Sequence, residues 1–300
     1  MIYETPENPA FTAWIVQNGL LHEPLRIMDV GCQGGLHARW RWLGEYLEAW
    51  AFDPLPDIIA QLSESNPAPD RIRYFCVGLG GTDGERPFRR DENPYGSAFL
   101  PMAVPEAGHA RDANGNLKAN WTRAPIRKLD TLLADGLFTG IDHLKMDCEG
   151  SEIEILEGAQ HFLDRCGVFA IESESNLKLH PRDKPCHFVC LYNLLGPRLF
   201  DVYDQHHYRW TRPPLTGGYP HKGRPDTFDF LFLRGFDAND DLSGHTLDRL
   251  IKMMIVAELY ALQDVAADIL QRASATLAQR FDVAEAMELL RVSFGMTVTA

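Results

Sequence analysis

Short apolar runs bounded by Gly, Pro or Asp alternate with longer amphipathic stretches along most of the chain. A run such as Leu25–Val30, between Pro24 and Gly31, is typical of a buried strand. The strands predicted in this way span 25–30, 49–52, 73–78, 143–146, 168–171, 199–203 and 227–233. The predicted helices span 11–20, 36–47, 56–65, 126–133, 151–163 and 187–195. This alternation predicts an α/β fold with a mostly parallel sheet and crossover helices.

Two regions depart from the alternation. Residues 80–121 are rich in Gly, Pro and polar residues, and their pattern predicts only an edge strand or hairpin at 85–90. Residues 237–244 form an acidic, turn-rich linker, and the sequence after it carries apolar residues at helical spacing. We therefore divide the chain into a Rossmann-like domain at 1–236 and a helical C-terminal extension at 237–300.

Composition and charge narrow the class of protein. The chain has 300 residues, a hydrophobic share of 45% and a formal charge of −13, which disfavours nucleic acid and anionic membrane surfaces as partners. We find neither a signal-peptide pattern nor an apolar run of about 18 residues, so no membrane span is expected. The six cysteines lack metal or disulfide spacing. These features predict a cytoplasmic protein with reduced thiols.

A glycine-rich turn follows the first predicted strand. It contains Asp29, Gly31, Gln33 and Gly35, and glycines in such a turn let the backbone approach a ligand closely. A carboxylate here would repel a dinucleotide pyrophosphate, and the G-x-G-x-x-G spacing is absent. The sulfonium and ammonium groups of S-adenosylmethionine would instead be favoured. The alternative interpretation is a tight turn with no ligand.

Two further positions fit a nucleoside. Asp53 ends the second predicted strand, 24 residues after Asp29, where an acid in Rossmann-type sheets hydrogen-bonds the ribose hydroxyls. It could also cap the helix that begins near Pro56. Gly78 closes the third strand, where backbone beside an adenine ring is expected, although a simple turn explains it equally well.

The segment from the fourth strand into its helix carries a third motif. The stretch LDTLLADG…IDHLKMDCEGSEIEILEGA resembles the FkbM family of methyltransferases, which typically shows "LD-x-LL" followed by "K-I-D-V-E-G-x-E…L-x-G-A". The family's "D-V-G-A-N-x-G" turn is matched at Asp29, Val30, Gly31 and Gly35, with Cys32 and Gln33 where Ala and Asn are usual. The resemblance covers about residues 25–234 and ends at a strand similar to the family's "D-x-L-F".

This resemblance implies a class I methyltransferase fold. Its sheet would be seven-stranded and mostly parallel, with an antiparallel last strand. The cofactor implied is S-adenosyl-L-methionine, and the reaction implied is methylation of a hydroxyl on a sugar, a glycan or another small-molecule acceptor.

Carboxylates near the ends of the fourth and fifth strands are the candidates for catalysis. An alcohol is a poor nucleophile, so a nearby base would help, and we predict Asp147, Glu149 and Glu172 as catalytic residues, with Glu174 as a further candidate. The same acids are compatible with a divalent cation, which is not predicted, or with a structural role.

Other readings of the chain remain open at this point. An NAD(P)-dependent oxidoreductase would use the same sheet, although Asp29 and the glycine spacing oppose it. A methyltransferase fold without activity could serve as a binding module. The C-terminal helices could also form the seam of a homo-oligomer.

Overall fold

A computed structural model describes residues 5–92, 97–101, 105–106, 108–177, 187–210, 224–237 and 239–293. The strands are β1 (Leu25–Val30), β2 (Leu47–Asp53), β3 (Ile72–Cys76), β4 (Gly78–Leu79), β5 (Gly84–Arg89), β6 (Ala98–Phe99), β7 (Trp121–Arg127), β8 (His143–Met146), β9 (Ala170–Asn176), β10 (Phe200–Trp210) and β11 (Arg224–Arg234). The helices are α1 (Ala10–Gln17), α2 (Pro56–Glu64), α3 (Leu129–Ala134), α4 (Glu152–Glu157), α5 (Gln160–Arg165), α6 (His187–Leu195), α7 (Leu247–Leu259), α8 (Gln263–Arg272), α9 (Ser274–Leu277) and α10 (Val283–Ser293). Two 3₁₀ segments span Ala38–Tyr46 and Gly196–Arg198.

Seven strands form the main sheet, in the order β10-β11-β9-β8-β1-β2-β3. Strands β9, β8, β1, β2 and β3 are parallel to one another, whereas β11 pairs antiparallel with β9. The short apolar runs at 25–30 and 143–146 become β1 and β8 with the predicted bounds. The prediction of a mostly parallel seven-stranded sheet with an antiparallel last strand is thereby confirmed.

Helices cover both faces of this sheet. Alternate residues of β1 face opposite sides: Leu25 and Ile27 pack with α1 and α7, whereas Met28 and Val30 pack against the layer that contains α4 and α5. Asp29 therefore points to the side of α1 and α7. This alternation matters for the site, because it places polar residues of the central strands under the C-terminal helices.

Several predicted elements are corrected by the structure. The helix predicted at 36–47 is a 3₁₀ segment interrupted at Gly44, whose φ is 52°. The helix predicted at 151–163 is two helices, α4 and α5. They separate at Gly158, where a Cβ would lie 2.4 Å from the carbonyl oxygen of Gly80.

Strand β9 is longer than predicted. It runs to Asn176 rather than ending at Ile171, because its outer neighbour β11 pairs with it along the whole length. Glu172 and Glu174 therefore lie within the strand and not in a loop after it. Their side chains share one face of the sheet, since they are two residues apart.

A second sheet, in the order β4-β7-β5-β6, occupies much of the region predicted as loop. Only β5 coincides with the strand or hairpin predicted at 85–90. Strand β7 also contains Ile126 and Arg127, so the helix predicted at 126–133 begins only at Leu129. Prolines at 87 and 125 hide these strands from pattern analysis, because proline is a poor predictor of sheet.

The C-terminal helices pack directly on the main sheet. From Leu250 to Leu259 every residue of α7 is buried, and its apolar side chains join the same core as Leu25, Ile27 and Ala170. Within α7, Glu258 accepts hydrogen bonds from the backbone N–H groups of Phe11 and Thr12 at 3.0 and 2.7 Å, and from the hydroxyl of Ser293. The division of the chain at 236/237 remains a prediction.

Two findings concern the thiols and membrane association. The five described cysteines are free, and Cys186 lies outside the described residues. None of the described helices combines the length and the apolar character that a transmembrane helix requires.

Candidate active site

A cleft opens at the carboxyl ends of β1, β2 and β8 and is closed on one side by the second sheet. It contains about 690 Å³ of space that no protein atom fills, including the open mouth. Its lining consists of Val30, Gly31, Gln33, Phe52, Asp53, Pro54, Leu55, Gly78, Leu79, Phe88, Ser97, Ala98, Phe99, Asp147, Cys148, Glu149 and Ser151. Six residues predicted for the site are among them: Gly31, Gln33, Asp53, Gly78, Asp147 and Glu149.

Gly31 brings the end of β1 against its two neighbours. Its φ is +80°, and a Cβ there would lie 1.9 Å from the carbonyl oxygen of Asp147. Its N–H donates to the carbonyl of Phe52 at 2.9 Å. A side chain at this position would force the β1 and β8 loops apart. Gly35, with φ +81°, belongs to the same turn but does not line the cleft.

Asp53 is buried at the end of β2 and lines the cleft. One carboxylate oxygen accepts a hydrogen bond from the N–H of Leu55 at 2.8 Å, at the start of α2. Burial, with a smaller contribution from the charge of Asp29, raises the pKa of Asp53 to about 6 despite this hydrogen bond. Asp53 therefore both stabilises the turn before α2 and lines the cleft.

The opposite wall of the cleft is apolar. Leu55, Phe88 and Phe99 form a small cluster with the second sheet, and the rings of Phe88 and Phe99 meet edge to face with centroids 5.0 Å apart. Gly78 lies directly under Phe99, since a Cβ there would be 2.1 Å from the ring. A flat heterocycle would find both an aromatic surface and exposed backbone here.

The turn after β8 carries Asp147 and Glu149 into the cleft. Glu149 has a left-handed φ of 56°, so the extended conformation ends before it. Glu152, which is buried, accepts hydrogen bonds from the N–H groups of Cys148 and Gly150 at 2.8 and 3.4 Å. Its other oxygen lies 3.3 Å from Nε2 of His187 in α6. Glu152, the first residue of α4, thus stabilises the turn through its backbone N–H groups.

Both exposed acids of this turn face the cleft, but they differ in environment. Burial, followed by the charges of Asp147 and Glu152, raises the pKa of Glu149. Lys145 lies 3.7 Å from Asp147, whose side chain is 44% exposed. Burial thus favours the neutral form of Glu149, whereas Asp147 is more open to solvent and is paired with Lys145.

Asp29 and Glu172 flank Lys145 across the central strands. Lys145 is in register with Asp29 of β1 on one side and with Glu172 of β9 on the other. Its ammonium group donates to Asp29 at 3.2 Å. The carboxylates outweigh the effect of burial and raise the pKa of Lys145, which stays charged. Neither Asp29 nor Glu172 is part of the cleft lining; both lie behind it.

Glu172 and Glu174 have separate environments. The hydroxyl of Tyr260, at the end of α7, donates to Glu172 at 2.5 Å. Glu174 lies two residues after Glu172, nearer the carboxyl end of β9, and is paired in register with Asp229 of β11. Burial and then the negative charge of Asp147 raise the pKa of Glu174 to about 9.

Sequence reasoning missed three parts of this site. It did not find the aromatic wall, because Phe88 and Phe99 lie in strands that the pattern does not reveal. It also missed Tyr260 and Arg39, which stacks on the Tyr260 ring at 3.9 Å. No signal in the sequence links Tyr260 to Glu172, 88 residues away.

Metal binding receives no support from the described residues. Within that part of the chain no three His, Cys, Asp or Glu side chains are grouped as a metal ion would need.

The fold and the cleft together define the class of protein. A seven-stranded sheet whose final strand is antiparallel, with a ligand cleft at the carboxyl ends of β1, β2 and β8, is the architecture expected of a class I methyltransferase. The profile of the methyltransferase FkbM domain matches residues 29–191, more than half of the chain. The chain belongs to this family.

Individual relatives are more distant. The 2-O-methyltransferase NoeI of Sinorhizobium fredii is 28% identical over 147 residues, which cover 46% of this chain and 59% of that protein. The chain therefore matches less than two thirds of the length of this relative.

Two solved structures are also similar. Methyltransferase FkbM from Methylobacillus flagellatus is 16% identical, with a TM-score of 0.36, over 73% of this chain and 47% of that chain. N-methyltransferase NodS from Bradyrhizobium japonicum, in complex with S-adenosyl-L-homocysteine, is 7% identical, with a TM-score of 0.34, over 76% of this chain and 86% of that chain.

Proposed function

We propose that this protein transfers a methyl group from S-adenosyl-L-methionine to a hydroxyl of a sugar, a glycan or another small-molecule acceptor. The observation that carries the proposal is the cleft in which Asp53, Asp147 and Glu149 converge from two different strands, inside the region that matches the FkbM family. When bound, the cofactor supplies a methyl group already activated by a sulfonium centre.

The donor half of the cleft suits a nucleoside. Asp53 would accept hydrogen bonds from the ribose hydroxyls, and the Phe88 and Phe99 rings would face the adenine. The backbone at Gly31 would lie against the amino-acid end of the cofactor. Asp29 would act on the positive groups from behind the lining, partly neutralised by Lys145.

The acceptor half would lie at the Asp147–Ser151 turn. Alignment of a hydroxyl with the methyl group can account for about 7–11 kcal/mol of the barrier, and a base adds about 10²–10⁴-fold. Asp147 and Glu149 are the cleft-lining carboxylates available to accept the hydroxyl proton. The name of the relative from Sinorhizobium fredii, a 2-O-methyltransferase, supports an oxygen acceptor.

Calorimetric titration tests the donor assignment. We expect the protein to bind S-adenosylmethionine and S-adenosylhomocysteine but not NADH. Asp53→Ala should weaken binding by about 1–3 kcal/mol, because it removes buried hydrogen bonds to the ribose. Asp57→Ala is the matched control, since Asp57 is an exposed acid paired with Arg90 and does not line the cleft. Unchanged affinity in a folded Asp53→Ala variant would remove the ribose role.

A methyl-transfer screen tests the acceptor assignment. Saccharide and polyketide alcohols would be incubated with the protein and S-adenosylmethionine, with and without a chelator, and analysed by mass shift. A gain of one methyl group that survives the chelator would support carboxylate catalysis. Loss of the product with chelator would point to a divalent cation. Binding of NADH in place of S-adenosylmethionine would instead favour an oxidoreductase.

A further inference from the structure

A row of polar side chains crosses the core behind the proposed donor site. Asp29, Lys145 and Glu172 are in register on β1, β8 and β9, and all three point to the face covered by α1 and α7. In this row the basic side chain of Lys145 lies between the acidic side chains of Asp29 and Glu172. Such groups are costly to bury unless each one has a partner, so their partners indicate what the row is built to hold.

Tyr260 supplies the partner for the outer acid. It is 1% exposed and follows the last residue of α7. Its hydroxyl contacts Oε2 of Glu172 at 2.5 Å and Nε2 of His143 at 2.7 Å. Because the hydroxyl proton is donated to Glu172, His143 must donate its Nε2–H to the tyrosine oxygen. The hydrogen bonds therefore run from His143 through Tyr260 to Glu172.

The charged groups around these hydrogen bonds favour the same donor and acceptor roles, from His143 through Tyr260 to Glu172. Burial, and then the charges of Arg39 and Lys145, lower the pKa of His143 to about 3, so the imidazole is neutral. The Arg39 guanidinium stacks on the Tyr260 ring. Burial raises the pKa of Glu172, and Arg39, Lys145 and the Tyr260 hydroxyl oppose that rise. Tyr260 thus favours the ionised form of Glu172.

We infer that Tyr260 and Glu172 are positioning residues: the Tyr260 hydroxyl fixes the Glu172 carboxyl group in the row beside Lys145. Glu172 would thereby help to balance the charge of Lys145, which contacts Asp29 and Asp147 at the donor end of the cleft. The inference rests on the proposed function. Tyr260 lies outside the region matched by the family profile, which ends at residue 191. The C-terminal helices would therefore contribute to the site through one hydroxyl group.

The predicted consequence is electrostatic. Without the Tyr260 hydroxyl, Glu172 shifts toward its neutral form and the positive charge of Lys145 is less compensated. Lys145 is 3.7 Å from Asp147, which lines the cleft, so a cationic ligand in the cleft would experience the change. S-adenosylmethionine carries a positive sulfur, whereas the sulfur of S-adenosylhomocysteine is neutral. The ratio of their dissociation constants therefore measures the field at that sulfur and cancels a general loosening of the cleft.

The experiment compares Tyr260→Phe with the wild type and with Tyr203→Phe, each titrated with both ligands at pH 7.5. Tyr203 is a partly buried tyrosine on the same side of the sheet, in contact with Phe236, and lies away from the row. We expect Tyr260→Phe to reduce the preference for S-adenosylmethionine over S-adenosylhomocysteine by up to about tenfold, because a change of up to one buried charge acts with roughly this strength over ~10 Å at an effective dielectric constant of about 20. Tyr203→Phe should retain the wild-type ratio.

A second variant, Glu172→Gln, makes this side chain permanently neutral without touching Tyr260 and should lower the ratio at least as far as Tyr260→Phe does. An unchanged ratio in the folded variants, with only a lower melting temperature, would overturn the inference and leave the proposed function intact. Loss of folding in both variants would also overturn it, because the row would then serve the fold. Absence of binding of either ligand to the wild type would overturn the proposed function, and this inference with it.

Discussion

Two single residues of the cleft, Asp53 and Gly31, have properties that can be tested by changing the pH or by a small substitution. Asp53 is buried and lines the cleft, and Gly31 combines a left-handed φ with a close approach to the Asp147 backbone. The first property is chemical and the second is steric. Each leads to a separate prediction.

The affinity for S-adenosylmethionine should rise with pH through the pKa of Asp53. That pKa is raised to about 6, mainly by burial. Protonation converts one of the two acceptor oxygens into a hydroxyl donor and removes the charge that strengthens hydrogen bonds from the ribose hydroxyls. At pH 5 about a tenth of the sites would be ionised, so the apparent dissociation constant should be about tenfold higher than at pH 7.5. Calorimetry at both pH values checks this, and the dependence should flatten in Asp53→Asn. An equally steep dependence in that variant would assign it to another group.

Gly31→Ala should destabilise the fold by at least about 2 kcal/mol, because the new Cβ would meet the carbonyl oxygen of Asp147 and the φ is left-handed. Gly136→Ala is the matched control, since Gly136 also has a positive φ, +75°, but has open space around it. Urea denaturation measures the unfolding free energy of both variants. The loss in Gly136→Ala reports the backbone strain alone, so the additional loss in Gly31→Ala reports the steric clash. Equal losses in the two variants would show that the contact with β8 is unimportant.

At the scale of elements, the turn between β8 and α4 depends on one buried carboxylate. Glu152 accepts from two N–H groups of the turn and lies near His187, whose Nδ1 is 3.0 Å from the hydroxyl of Ser175. These contacts connect the turn to α6 and β9. The positions of Asp147 and Glu149 therefore depend on a side chain, Glu152, that does not itself line the cleft.

Glu152→Ala should cost about 1–3 kcal/mol in unfolding free energy, since two turn N–H groups lose their acceptor. It should also weaken S-adenosylhomocysteine binding, because the turn lines the cleft. Glu157→Ala, an exposed site on the same helix, is the control and should change neither quantity. Glu152→Gln keeps one oxygen acceptor and should recover part of the loss. A Glu152→Ala variant that binds as tightly as the wild type would contradict the role of the turn.

The elements that sequence analysis predicted best are those that hold the cleft. Buried parallel strands are short apolar runs that end in Gly or Asp, so β1, β8 and the turn at Asp29–Gly35 could be located from local pattern. The second sheet could not, because its strands contain Pro87 and Pro125 and are formed by long-range pairing. The break at Gly158 was also hidden, since the backbone that packs against it, at Gly80, is distant in sequence. The acids that line the cleft could be named from the sequence, but their hydrogen-bond and ion-pair partners could not.

At the scale of the whole molecule, buried titratable groups make stability depend on pH in two opposite ways. Burial lowers the pKa of His37 to about 4 and of His143 to about 3, so these residues destabilise the fold as pH falls below about 6.5. Burial raises the pKa of Glu174 to about 9, against about 4.5 in the unfolded chain. Between these values the folded state holds a proton that the unfolded state has released.

The unfolding free energy should therefore fall as pH rises from 7 to 9, by up to about 1.4 kcal/mol per pH unit for one such group. Above about pH 7.5 the histidines are almost fully neutral in both states and contribute little to the slope. Chemical denaturation at several pH values measures the trend, and Glu174→Gln should make it shallower. A stability that rises between pH 7 and 9, or an identical slope in the variant, would be inconsistent with a protonated Glu174.

The contact of Glu258 with Phe11, Thr12 and Ser293 has a consequence for folding during synthesis of the protein. Two backbone N–H groups in the first turn of α1 donate to the carboxylate of Glu258, which leaves the ribosome almost 250 residues later. The same carboxylate also accepts a hydrogen bond from Ser293, at the end of α10. At about 5–20 residues per second, the first helix waits on the order of tens of seconds for its partner. A nascent chain stalled before α7 would expose the start of α1 to chaperones.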